Sequence, residues 1–172
     1  MEIARIEPFL EYYGRLRQRT IRVAECIPRD RLEWAPRTGA FSFGDILRHI
    51  GAIERWVFAE NAHRRPNRYP GHGRELAEGY DDVLSFLQRT HAETLALLGE
   101  LGPADLRLRC ELPSGATIPV WKWLRALAEH EVHHRGQLYL MLRLLDVPTP
   151  PMWGLTSEQV RARGLSRDVS GS

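Results

Sequence analysis

His130-Glu131-Val132-His133-His134-Arg135-Gly136-Gln137 lies inside the most strongly helical segment of the chain, between Val120 and Asp146. Residues four apart on a helix share a face, with β-carbons about 5–6 Å apart, so His130 and His134 can address one ion. Trp123, Leu127, His130, His134, Leu138, Met141 and Leu145 follow helical spacing, which places both imidazoles in the apolar stripe. Two unpartnered imidazoles in a core are costly, because buried polar groups need partners. A divalent metal supplies one.

Working outward from this helix, three more amphipathic helices are predicted. The first runs near Ile6 to Ile27, with Ile6, Phe9, Tyr13, Leu16, Thr20, Val23 and Ile27 on one face. Pro8 is tolerated only in a first turn, which fixes the start close to Glu7. A second helix begins at Ser42, where Ser42 and Asp45 have capping-box spacing. Ile46, His49, Ile50, Ile53, Trp56 and Val57 form its inward face. A third covers about Tyr80 to Leu101, with Val83, Leu84, Leu87, His91, Leu95 and Leu98 as its stripe.

The connections are equally readable. Residues 61–79 are polar and turn-rich, with Pro66, Pro70, Gly71 and Gly73, and read as a long surface crossover. Leu112 to Ile118 is a turn or short hairpin before Pro119 opens the fourth helix. Pro148, Pro150 and Pro151 stop that helix, leaving a Pro-rich tail from about residue 147 with one short turn around Ser157 to Arg163. The expected architecture is all-α: one domain, an antiparallel four-helix bundle with one long crossover.

His49 faces the core as well, so three inward imidazoles come from two helices. Bundle axes lie about 8–10 Å apart, a gap that facing side chains can bridge around an ion. Imidazole suits zinc, nickel, copper or ferrous iron rather than calcium or magnesium. Three protein nitrogens leave a coordination position open, as catalytic sites do. His133 is rotated off the stripe and is expected to orient a ligand or face solvent. His91 reads as a hydrogen-bonded core residue, and His63 and His72 as solvated residues of the crossover. Glu131 and Arg135 are four apart in the favourable acid-first order. The simplest reading is a surface ion pair. The functional one makes Glu131 a base for water at the metal and Arg135 an anion-binding group at the pocket rim. Asp45, one turn before His49, caps its helix and is placed to orient that imidazole.

His130-Glu131-Val132-His133-His134 also satisfies the HExxH pattern of zinc metallopeptidases. Those enzymes need a third ligand, commonly downstream, and no histidine follows His134. The extended metzincin form requires glycine where Gln137 stands and histidine where Leu140 stands. The upstream segments read as helices rather than the strands that would hold a peptide. The peptidase reading fails.

Bulk composition narrows the partners. With 24 basic and 22 acidic residues the net charge is only +2, and the basic residues are scattered, so no nucleic-acid partner is expected. Lys122 is the only lysine. Cys26 and Cys110 form no CxxC pair and read as small hydrophobes of a reducing compartment. No secretory signal is evident in the first residues, and no apolar run approaches the roughly 20 residues of a membrane span. Cytoplasm is the expected location.

A broader resemblance covers nearly the whole length. Leu32-Glu33-Trp34-Ala35-Pro36, Ser42-Phe43-Gly44-Asp45-Ile46-Leu47-Arg48-His49-Ile50 and His130 through Leu138 resemble the motifs of the DinB/YfiT-like superfamily of metal-binding four-helix bundles. The ending Leu144-Leu145-Asp146-Val147-Pro148, followed by Pro150 to Leu155, is similar too, with Asp146 where relatives often carry glycine. The resemblance implies a homodimer with a metal site at His49, His130 and His134. It also implies an activity like that of characterised relatives, transferases or isomerases using bacillithiol, mycothiol or glutathione. The leading expectation is therefore a zinc- or nickel-dependent transfer of a low-molecular-weight thiol to a small electrophile. The alternatives are small-molecule hydrolysis by activated water and a non-catalytic metal-binding stress protein.

Overall fold

Helix α1 (Ile6–Ala24) carries Pro8 in its first turn, where a missing N–H costs nothing. Its buried residues include Ile6, Phe9, Tyr13, Leu16, Thr20 and Val23, the stripe that the spacing predicts. The computed structural model describes residues 2–112, 114–152 and 154–168. Helix α2 (Phe43–Ile53) opens with the full capping box: Asp45 N–H donates to Ser42 Oγ at 3.0 Å, and Ser42 N–H donates to the Asp45 carboxylate at 2.9 Å.

The same rod continues through a π-helical stretch (Glu54–Ala59) and one α turn, α3 (Glu60–Ala62). This changes the expected face. A straight helix would bury Ile53 and Trp56, but both are half-buried, and the wider π turn carries Glu54, Val57, Phe58 and Ala59 inward. π-Turns of this kind recur at functional sites.

Helix α4 (Tyr80–Leu98) buries Val83, Phe86, Leu87, Thr90, Thr94 and Leu98. Leu84, His91 and Leu95, expected in the stripe, are only half-buried. The buried arc is turned toward α2, and a β-carbon on Gly51 would lie 2.7 Å from Thr90 Oγ1. Strands β1 (Arg109–Glu111) and β2 (Thr117–Pro119) pair antiparallel, with Cys110 opposite Ile118, ahead of the long helix α5 (Val120–Leu144).

Two apolar clusters give the direction of each helix. One holds Phe9 and Leu16 of α1, Phe58 beyond α2, Leu98 of α4 and Trp123 and Leu127 of α5. The other holds Val23 of α1, Ile46 and Ile50 of α2, Val83 and Leu87 of α4, and Leu138 and Met141 of α5. Thus α1 and α5 run one way, and α2 and α4 run the other. Neighbouring pairs are α1–α5, α2–α4, α2–α5 and α1–α4. Because the consecutive helices α2 and α4 are parallel, the chain must return along the bundle, which is the task of the predicted crossover. Arg48, fully buried, pins it there: its Nε donates to Ala77 O at 2.8 Å, while its guanidinium pairs with Glu33 and Asp45.

The tail departs from expectation. Instead of one short turn, α6 spans Ser157–Asp168. Its start has a capping exchange that the sequence reading passed over: Gln159 N–H donates to Thr156 Oγ1 at 3.2 Å, and Thr156 N–H donates to Gln159 Oε1 at 2.9 Å. Trp153, part of the C-terminal resemblance, lies outside the described residues, as do residues 170–172. Among the described residues no helix is long and apolar enough to cross a membrane.

Candidate metal centre

His49 leaves α2 beyond its capped first turn, and His130 and His134 leave α5 one turn apart, all toward the same gap between the two helices. The Nε2 atoms of His49 and His130 are 3.0 Å apart. One nitrogen from each of the three rings lies within 4.8 Å of the others. Tetrahedral zinc with nitrogens at 2.0–2.1 Å needs them about 3.3 Å from one another, so small side-chain adjustments close the site.

The rings are held by partners on their far sides. His134 Nδ1–H donates to Gln137 Oε1 at 2.8 Å, leaving Nε2 as the free donor atom. The Gln137 amide in turn faces His133 Nε2 at 3.2 Å. His133 is exposed, as its angular position predicts. His49 Nδ1 lies 2.7 Å from the Tyr69 hydroxyl, which is itself 2.7 Å from His72 Nδ1. A ligating histidine is commonly fixed this way, through its second nitrogen. The His72 ring packs on Phe41 at 4.1 Å, and Phe41 meets the His49 ring edge-on at 5.6 Å.

Electrostatics keep the imidazoles neutral. Burial, with His134 and His72 nearby, lowers His49 to about 4. Burial, with His134 and His49 nearby, lowers His130 to about 3. His134 is also lowered by burial, against the pull of its bond to Gln137. Neutral imidazole is the form that ligates metal. The three-imidazole donor set fits a divalent transition-metal ion. Beside it opens a cleft of about 430 Å³, lined by Pro36, Ala40, Phe41, Ile46, Leu140 and Met141, with His134 and Gln137 as its polar wall.

Glu131 and Arg135 sit elsewhere. The expected surface ion pair does not form, because both residues are buried. Glu131 faces α1: its carboxylate accepts from Arg17 Nε at 3.0 Å, from another Arg17 nitrogen at 2.9 Å, and from Thr20 Oγ1 at 2.6 Å. Burial alone would raise its pKa, but the charge and hydrogen bonds of Arg17, with Thr20, hold it below the usual carboxylate value. Arg17 also pairs with buried Glu54, whose other oxygen lies 2.7 Å from His91 Nδ1. Arg135 NH1 donates to Leu16 O at 3.2 Å. Neither Glu131 nor Arg135 lines the cleft beside His134.

The crossover histidines also differ from expectation. His63 is half-buried and its Nε2 bonds the Leu97 carbonyl at 2.8 Å, while half-buried His72 stands behind the histidine cluster, joined to it through Tyr69. Gln137, Tyr69 and Phe41 were not singled out from sequence. Gln137 had a local signal, standing one turn after His134. Tyr69 and Phe41 lie in irregular segments and had none.

Residues 12–138 match the sequence family described as the DinB superfamily. The chain is 27% identical over 127 residues to the uncharacterized protein YjoA of Bacillus subtilis (strain 168), covering 72% of this chain and 80% of that protein. Among solved structures it resembles a DinB-like protein from Bacillus cereus ATCC 10987, with a TM-score of 0.72 at 18% identity over 87% of this chain and 98% of the other. The crystal structure of the DinB-like protein YjoA gives a TM-score of 0.67 at 19% identity, over 86% of this chain and 98% of that one. At these identities the two structures speak to the fold.

Proposed function

The chain belongs to the DinB superfamily, and from that premise we propose that it binds a zinc- or nickel-like ion at His49, His130 and His134 and transfers a low-molecular-weight thiol to a small electrophile. One observation carries the reading: three neutral imidazoles from two helices converge, His49 and His134 each held by a far-side partner and His49 Nε2 facing His130 Nε2. A bound ion of this kind supplies Lewis acidity that favours the thiolate form of a thiol. The chain's own residues do the rest. Gln137 and Tyr69 fix the ligating rings, and the apolar cleft of Phe41, Ile46, Leu140 and Met141 receives the carbon skeleton of the electrophile and keeps water from it.

Hydrolysis finds less support, because the carboxylate expected as its base is occupied by Arg17 and Thr20 on the α1 side. We assign Glu131 to the scaffold, and Arg135 with it. A homodimer, implied by the resemblance, is supported by the apolar groove of Phe9, Tyr12, Ala128 and Val132, in which Tyr12 and Val132 are exposed.

The test loads the protein with zinc or nickel, verifies the content by elemental analysis, and assays bacillithiol, mycothiol and glutathione against a panel of electrophiles. At least one thiol should be consumed faster than without protein. His134→Ala should lose both metal and turnover while keeping its helical signal. Full metal content with no turnover of any thiol or hydrolysis substrate would instead identify a non-catalytic metal-binding protein.

A further inference from the structure

We propose that the crossover is a working part of the metal centre. Tyr69 and His72 form a hydrogen-bonded chain behind His49 that supports ligation through its Nε2, so metal binding and seating of the crossover stabilise one another. This rests on the metal-binding reading above.

Either direction satisfies these contacts, and an ion held at His49 Nε2 selects one. In that direction His49 Nδ1–H donates to the Tyr69 oxygen, and Tyr69 O–H donates to His72 Nδ1, each over 2.7 Å. That arrangement strips Nε2 of its proton and leaves its lone pair toward His130 Nε2, 3.0 Å away. The opposite tautomer would carry a proton on the atom that must face the ion. Tyr69 is thus a positioning residue, acting on the ion through His49.

The crossover is built to present this pair. Arg68 N–H donates to Trp56 O at 3.3 Å on one side, and Arg48 holds Ala77 O at 2.8 Å on the other. Between these anchors Gly71 takes φ +102°, a conformation that side chains rarely adopt, and the turn sets Tyr69 and His72 side by side. The His72 ring rests on Phe41 at 4.1 Å, fixing the far end of the chain against the loop before α2. Two of the three α2–α5 imidazoles thereby have an orienting partner: Gln137 from within the same helix for His134, and Tyr69 from 20 residues away for His49. The second is the one that couples separate parts of the fold.

Such far-side partners change metal affinity by about 10–100-fold. By linkage, whatever factor Tyr69 gives to metal affinity, the metal returns to the seated crossover. The experiment measures zinc affinity by chelator competition for the full chain, Tyr69→Phe and His72→Phe. It adds hydrogen exchange over residues 63–79 with and without zinc, and nitrogen NMR of the His49 tautomer in the zinc-loaded protein. Tyr69→Phe should bind zinc about 10–100-fold more weakly, and His72→Phe should show a smaller loss. Zinc should slow exchange across the crossover in the parent protein and by a smaller factor in Tyr69→Phe. The zinc-loaded parent should carry the His49 proton on Nδ1, and Tyr69→Phe should show a mixture.

Equal zinc affinity in parent and Tyr69→Phe would overturn the proposal while leaving the metal site standing. So would exchange in the parent that zinc leaves unchanged, or a loss of helical signal in Tyr69→Phe, which would make the residue structural. A parent protein that binds no zinc or nickel would overturn the metal reading itself and this inference with it.

Discussion

Arg17→Met removes the only guanidinium among three buried charged groups, and the structure sets the size of the effect. Arg17, Glu54 and Glu131 are each 3% exposed or less. The guanidinium donates to Glu131 twice, to Glu54, and to the Leu87 carbonyl at 3.1 Å. Methionine fills similar space but leaves both carboxylates without their cation. Removing one partner of a buried ion pair costs about 3–5 kcal/mol, and two carboxylates are stranded here, which places the loss toward the upper end. Against a total of about 5–15 kcal/mol, this lowers the melting temperature by roughly 10–20 °C.

The loss must also depend on pH. In the parent, Glu131 sits below the usual carboxylate value. Its contribution is fully present above the unfolded value of about 4.3 and disappears as pH falls through the lower folded one. In Arg17→Met the sign reverses, because a buried carboxylate without a cation takes up its proton at higher pH than in water. Relative to the parent the variant therefore gains stability as pH falls from 8 toward 5, so the gap between them narrows. Urea unfolding followed by circular dichroism at pH 5, 6.5 and 8 measures this. A loss under about 1 kcal/mol, the ordinary size for a surface pair, or a gap constant with pH would refute the buried charged layer.

The metal-free protein should lose stability as pH falls from 7 toward 5, because His49 and His130 are held neutral at about 4 and about 3 while the unfolded chain takes up protons near its ordinary value. Denaturant titrations should show a shallower loss in a His49→Gln, His130→Gln double variant, and greater stability at pH 5 would mean charged imidazoles in the fold. Asp146 holds φ +55° at the end of α5, so Asp146→Gly should raise stability by about 0.5–1 kcal/mol, read from the urea midpoint. If the chain forms the dimer proposed above, Val132→Arg should convert it to monomer in light scattering without loss of helical signal, whereas a parent of monomer mass would overturn the dimer and an unchanged dimer mass would move the interface elsewhere.

Local features were the legible ones. The Ser42–Asp45 cap, Pro8 in a first turn and the His130–His134 pair each depend on residues three or four apart, and the structure has all of them. Asp146, noted from sequence at a glycine position, indeed takes a left-handed conformation. What could not be read is non-local. Glu131 bonds Arg17 across 114 residues, and a charged residue on an amphipathic helix defaults to the solvent side until such a partner is known. The π turn after Ile53 has no periodic signature, and it moves Glu54 inward where spacing put Ile53 and Trp56. Tyr69 and His72 sit in a segment without helical repeat, so spacing offered nothing about their side chains.

The polar layer across the middle of the bundle also constrains how the protein can assemble. Apolar stripes alone tolerate sliding, since one leucine level resembles the next. Arg17 on α1, Glu131 on α5 and Glu54 beyond α2 meet only when three rods stand at one height. A rod displaced by a single turn, about 5.4 Å, strands a charge among hydrocarbons at a cost that collapse cannot offset. Compact but misaligned states are therefore disfavoured, and the three helices are held to one shared register.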